Sequence, residues 1–131
     1  MWITRESSLG LLALVEISRS GRVSAEKIAK MYGLSAPFLR QILGRARRAG
    51  LVESRPGRNG GYSLARPAEE ISLAQALAVF GERLTPVSCL AGIPCPLPGA
   101  CPTRPLWEYL EERIEGWLRE LSLKDLAKGT L

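Results

Sequence analysis

The stretch from Ser24 to Leu64 constrains this chain more than any other, because start and stop signals follow one another there in an order that few folds accept. Ser24 can cap a short helix, Ala25 to Met31, with Ile28 and Ala29 facing inward; Gly33 breaks it and Ser35 caps the next helix almost at once. Pro37 falls in the first turn of that helix, where a missing N–H costs nothing, and Phe38, Leu39, Ile42, Leu43 and Ala46 supply an apolar stripe that ends at Ala49-Gly50. Two short strand candidates follow, Leu51-Val52-Glu53-Ser54 and Tyr62-Ser63-Leu64, joined by the turn-rich loop Arg55-Pro56-Gly57-Arg58-Asn59-Gly60-Gly61. Helix, tight turn, helix is shared by many helical hairpins. With a basic hairpin added it reads as a winged helix-turn-helix, whose second helix enters the major groove of DNA. Gly60 and Gly61 are expected to serve the turn alone.

Charge supports that reading. From residue 40 to residue 66, seven arginines face one glutamate, a net of +6 where the whole chain carries +5. Such a local excess is what a surface needs to displace counterions from a phosphate backbone. Ser35, Arg40 and Gln41, early on the second helix, have the right chemistry to read base edges. Arg45, Arg47 and Arg48, near its end, suit phosphates or the helix dipole, and Arg55 and Arg58 on the wing suit a minor groove. The competing reading is a solvated arginine-rich helix.

The rest of the chain fits around this unit. Residues 4–19 carry Leu9, Leu12, Ala13 and Ile17 at helical spacing, and Ser20-Gly21 stops the run. Ser72-Leu73-Ala74-Gln75 is a capping box for a helix to about Phe80, and Ser122 caps a short last one. Between them, Leu106, Tyr109, Leu110, Ile114, Trp117, Leu118 and Leu121 define a long amphipathic helix. With Trp107 and Trp117 along it, this helix has more apolar surface than one small domain covers, so a homodimer is expected, against the alternative of packing on its own chain. The expected fold class is therefore mainly α with a small β-hairpin wing, a winged helix-turn-helix plus a C-terminal dimerisation helix. The expected divisions are residues 1–83 for DNA binding, 84–102 for a cysteine loop, and 103–131 for the dimerisation helix and tail. No apolar run approaches the roughly 20 residues that cross a bilayer, and the start lacks a secretory segment, so a soluble, cytoplasmic protein with no membrane partner is expected.

The loop holds the last strong signal. Cys89, Cys95 and Cys101 recur at every sixth residue within a Pro- and Gly-rich stretch, and there is no histidine in the chain. An odd number of cysteines without an export signal argues against a disulfide framework. Soft thiolates select iron-sulfur clusters, zinc or copper(I); zinc is the weaker choice because its ligands usually come in closely spaced pairs with a fourth Cys or His. Three buried free thiols are the plain alternative, but such cysteines usually lie scattered on helices and strands.

The order Gly60-Gly61-Tyr62-Ser63-Leu64-Ala65, then Ile71-Ser72-Leu73, then the three evenly spaced cysteines, then Leu106-Trp107, resembles the Rrf2 family of bacterial regulators over nearly the whole chain, Met1 to about Ala127. The resemblance implies a dimeric winged-helix protein that binds a double-stranded DNA operator and is not an enzyme. It also implies an iron-sulfur cluster, two-iron preferred over four-iron, on Cys89, Cys95 and Cys101. The fourth ligand departs from the pattern. Where the family's iron-sulfur cluster regulators have histidine, three positions after the last cysteine, this chain has Arg104, a poor ligand. Other members use an acidic residue from the partner subunit's first helix, and the matching places here are Ser8 or the nearby Glu6. Arg40 replaces a glutamate of those cluster regulators, which should change the preferred bases.

Two other functions stay open at this point. One is a cluster-free winged-helix regulator that senses thiol oxidation or a small metabolite directly. The other is a small iron-sulfur redox protein or electron carrier, which leaves the basic wing unexplained.

Overall fold

Small polar caps set the helix starts. In this computed structural model, which describes residues 3–81, 85–94 and 101–131, Thr4 accepts from the Ser7 N–H to open α1 (Arg5–Ser20). Ser24 does the same for α2 (Ala25–Tyr32) through the Lys27 N–H, and Ser35 for α3 (Ala36–Arg48) through the Phe38 N–H. Gly33, left-handed at φ 65°, ends α2 and leaves only a tight turn before α3. Ser72 and Gln75 form the expected capping box of α4 (Leu73–Val79), and Ser122 with Asp125 forms another at α6 (Leu123–Lys128). Between these lies α5 (Arg104–Glu120), with Pro105 in its first turn.

The hairpin is antiparallel, β1 (Val52–Arg55) against β2 (Gly61–Leu64), with Val52 opposite Leu64 and Arg55 opposite Gly61. It does not stand alone. Val23 adds a one-residue third strand, exchanging hydrogen bonds with Tyr62 at 3.0 and 2.8 Å. The two wing glycines therefore do more than turn the chain, contrary to expectation. Gly61 lies at φ 132° with its missing Cβ directed at the Val23 carbonyl, 2.7 Å away, and a Cβ on Gly60 would fall 2.0 Å from the Arg55 carbonyl oxygen. Close approach of two backbones is what requires them.

One core joins the helices to the hairpin. Leu14 and Ile17 of α1, Ile28 of α2, Leu39 and Leu43 of α3, Val52 of β1, Ile71 and Leu123 are all buried. Burial of each such side chain contributes about 1.5–3 kcal/mol before conformational entropy is set against it. Gly10 in the middle of α1 lets the Phe80 ring lie against the helix, since a Cβ there would stand 2.6 Å from the ring. Backbone bonds from Leu73 to Leu121 and from Leu123 to Ile71 join the start of α6 to the start of α4, and Arg19 Nε donates to the Ala127 carbonyl at 2.9 Å. The C-terminal end is thus bound to α1 and completes the same core.

Helix α5 differs. It packs on α4 but buries no residue fully, and Leu106, Tyr109 and Trp117 stay 56%, 60% and 64% exposed. The expected division of the chain at residues 83 and 102 falls at segments outside the described residues or at their edge.

Candidate DNA-binding surface and cysteine site

The Gly33 turn and the α2–α3 packing present one side of α3 to solvent while Leu39, Ile42, Leu43 and Ala46 anchor the other. On the free side, Ser35, Arg40, Gln41, Arg47 and Arg48 are all exposed, as are Arg55 and Arg58 on the wing. Several of these are already held. The Ser35 hydroxyl accepts the helix-capping bond. Arg47 Nη1 donates to Ser54 Oγ at 3.2 Å, tying the end of α3 to the root of the wing. Arg40 Nη1 donates to Glu26 Oε1 across α2 and α3. Arg45 turns the other way, onto Glu6 of α1 at 3.2 Å. Arg48, Arg55 and Arg58 have no ion pair among the described residues.

Between the start of α2 and the wing lies a cleft of about 650 Å³. Arg22, Lys27, Arg47, Arg55 and Arg58 line it, with Glu26 the one acidic lining residue. Arg22 and Lys27 do not stand out in the sequence, because they lie outside the arginine-rich run. The Val23–Tyr62 bridge holds the start of α2 beside the wing and so brings them there. Backbone N–H groups at a helix start and five cations make this cleft a fit for phosphate oxygens.

Of the three cysteines, Cys95 lies outside the described residues. Cys89 sits on a 3-10 turn (Ser88–Ala91) and Cys101 just before α5; both are free and half-buried. Cys101 Sγ lies 3.1 Å from the Thr103 hydroxyl, and the same hydroxyl accepts from Trp107 Nε1 at 3.2 Å. The Thr103 side chain and then its backbone N–H hold the Cys101 thiol below its ordinary pKa against desolvation, with a smaller contribution from Arg104. Arg104 Nε donates to Glu108 Oε1 at 2.7 Å, and this bond, ahead of the charges of Cys89 and Cys101, raises the guanidinium above its ordinary pKa. Thr85 Oγ1 donates to Glu111 Oε1 at 3.2 Å, fastening the beginning of the cysteine segment to α5.

The donor set, soft sulfur with no imidazole in the chain, suits an iron-sulfur centre in chemistry. Among the described residues no three His, Cys, Asp or Glu side chains converge as a metal site. Of the two fourth-ligand candidates on α1, Glu6 is engaged with Arg45, while Ser8 is exposed at the rim of an apolar groove of about 540 Å³ between α1, α4, α5 and α6. At that groove, the carboxylate of the buried Glu16 accepts from the Tyr32 hydroxyl and lies 3.7 Å from Arg19. The Glu16 bond, then desolvation, raises the Tyr32 phenol above its ordinary pKa. Among the described residues no helix is long and apolar enough to cross a membrane.

Comparison with known proteins places these features in context. The sequence profile of a family described as "Rrf2: Iron-dependent Transcriptional regulator" matches residues 3–129. The HTH-type transcriptional regulator IscR of Photorhabdus laumondii is 32% identical over 132 residues, which cover 98% of this chain and 80% of that protein. Among solved structures, CymR, the global cysteine regulator of B. subtilis, is 28% identical with a TM-score of 0.84, over 100% of this chain and 99% of CymR. IscR of T. potens is also 28% identical, with a TM-score of 0.76 over 100% of this chain and 89% of its own.

Proposed function

The chain belongs to the Rrf2 family of transcriptional regulators, and from that premise we propose that it is a homodimeric, cytoplasmic operator-binding protein whose DNA affinity answers to an iron-sulfur cluster on Cys89, Cys95 and Cys101. It is a DNA-binding regulator and not an enzyme. The observation that carries the finer reading is that both described cysteines lie at α5: Cys101 sits 3.1 Å from the Thr103 hydroxyl at its start, and Cys89 follows Thr85, which bonds Glu111 of the same helix at 3.2 Å.

On the DNA side, α3 lies in the major groove. Ser35, Arg40 and Gln41 meet base edges there, while Arg47, Arg48, Arg55 and Arg58 meet phosphates or the minor groove. Five cations along the wing cleft support this placement. A second copy supports it as well: Leu106, Tyr109, Leu110 and Trp117 leave α5 an apolar face that pairing would cover, and two recognition helices on a two-fold axis read two half-sites.

When bound, the cluster supplies an iron centre that reacts with oxidants or nitric oxide. The two-iron form is preferred and the four-iron form is the other choice. The chain's own residues do the rest. Arg104 offsets part of the negative charge of the thiolates, and Glu6 or Ser8 of a partner subunit completes the ligand set. Thr85–Glu111 at one end and Cys101–Thr103 at the other fasten the segment to the first half of α5. Any rearrangement between residues 85 and 101 therefore reaches the helix that sets the spacing of the two groove readers. A coupling of about 1–3 kcal/mol along this route changes operator affinity roughly 5- to 150-fold.

A second reading has a specific observation in its favour. The depressed thiol of Cys101, 3.1 Å from the Thr103 hydroxyl, is suited to direct oxidation, and the likeness to Staphylococcus aureus CymR, a solved structure of which is of the oxidized form, supports this reading. Iron and sulfide analysis of anaerobically purified protein, with visible spectra, separates the two. The cluster reading expects iron, acid-labile sulfide and visible absorption that vanish in a C89A/C95A/C101A variant. Colourless, iron-free protein whose operator affinity falls on mild oxidation supports thiol sensing instead.

A further inference from the structure

Glu26 is out of place for a surface that meets DNA. It is the one acidic residue lining the cleft between α2 and the wing, among five cations, and its side chain is 61% exposed. A carboxylate there repels phosphates and lowers affinity for every sequence alike. Its one partner among the described residues is Arg40 of α3, whose Nη1 donates to Glu26 Oε1.

We propose that Glu26 is the positioning residue that makes Arg40 selective for guanine. This rests on the reading of Arg40 as a base reader and goes beyond it. A lone arginine on an exposed helix samples many rotamers and bonds phosphates as readily as bases. Glu26 fixes one end of the guanidinium through Nη1, and among the described residues nothing bonds Nε or Nη2, the opposite edge of the planar fork. Two parallel N–H groups on one edge match the O6 and N7 acceptors that guanine offers in the major groove. The carboxylate also marks adjacent phosphates as unfavourable partners, so the arginine is steered towards the bases. Position in the fold supports the arrangement: Glu26 is in the first turn of α2, where the helix dipole favours its charge, and α2 packs directly on α3.

The test uses the full chain and an operator selected by the unaltered protein from random duplexes. Affinities are then measured for duplexes in which each base pair of a half-site is changed in turn. R40A is expected to lose the preference for guanine at one base pair, worth roughly 5- to 150-fold. E26A is expected to lose about 2- to 5-fold at that same base pair and at no other, an exposed charge pair's ordinary worth, while its affinity for unrelated DNA rises. In the E26A/R40A double variant, the loss should equal that of R40A alone, and thermal midpoints of all variants should stay within a few degrees of the parent, roughly what an exposed ion pair and a helix-end charge are worth. Full retention of the guanine preference in E26A overturns the proposal, as does an E26A effect of equal size when Arg40 is already absent. If R40A leaves every preference unchanged, the base-reading role of Arg40 falls first, and the result is distinguishable from the other two.

Discussion

Replacing Gly61 with alanine tests how the wing is held. Gly61 sits at φ 132°, a positive-φ conformation that strains an L-residue by about 1–3 kcal/mol. Its new Cβ would stand 2.7 Å from the carbonyl carbon and oxygen of Val23, where ordinary contact begins at 3.4 Å, so the two backbones must part by about 0.7 Å. That displacement weakens the paired bonds between Val23 and Tyr62, at 3.0 and 2.8 Å, each worth about 0.5–1.5 kcal/mol. A less flexible unfolded chain returns about 0.4–1 kcal/mol. The net expectation is a loss of about 2–4 kcal/mol. Gly57 supplies the control, because it shares a positive φ of 98° yet a Cβ there would meet nothing within 4 Å. G57A should therefore cost only the conformational strain, about 1 kcal/mol after the unfolded-state gain. Urea unfolding at one fixed protein concentration reads both, since any dimer makes stability concentration-dependent. Operator affinity should fall more in G61A than in G57A. Equal stabilities for the two variants would refute the argument that backbone contact, rather than turn conformation, requires Gly61.

Three further outcomes are expected. G10A should lower stability by about 1–2 kcal/mol in the same urea assay even though alanine favours helix, because its Cβ meets the Phe80 ring at 2.6 Å; a more stable variant would contradict the tight contact. On the proposed pairing of two copies through α5, replacing Leu110 and Trp117 together by glutamate should shift sedimentation from dimer to monomer while circular dichroism keeps its helical content, since both side chains are exposed on α5. The carboxylate of Asp125 is held below its usual pKa, first by the Ser122 backbone N–H and then by the Ser122 hydroxyl. Its contribution is present above the unfolded value, about pH 3.9, and is lost as pH falls through the lower folded value. Urea midpoints measured from about pH 5 to about pH 2 should thus drop less steeply in D125N than in the parent.

What could be read from the sequence was local. Ser24, Ser35, Ser72 and Ser122 cap helices through bonds to residues three positions on, so the chain announces those starts without reference to anything distant. Pro37 and Gly33 act within a turn in the same way. What escaped was tertiary. Nothing near Gly10 in sequence reveals the Phe80 ring, and nothing near Gly61 reveals Val23. Arg40 was legible as a basic residue on a recognition helix, but its partner Glu26 stands 14 residues away across the turn. Arg22 and Lys27 joined the basic cleft only once the Val23 bridge had folded the chain back beside the wing. The proposed fourth ligand is harder still, because a side chain that a second subunit would supply leaves no spacing signal within one chain.

On the proposed reading, the state of the cysteine segment is felt by the DNA-reading helices. The most direct test of this coupling is the affinity of one anaerobic preparation for its selected operator, measured before and after iron is removed by a chelator, with the C89A/C95A/C101A variant alongside. Affinity should change roughly 5- to 150-fold on iron removal, with the stripped protein and the cysteine-free variant binding alike. Identical affinity in all three samples would contradict it.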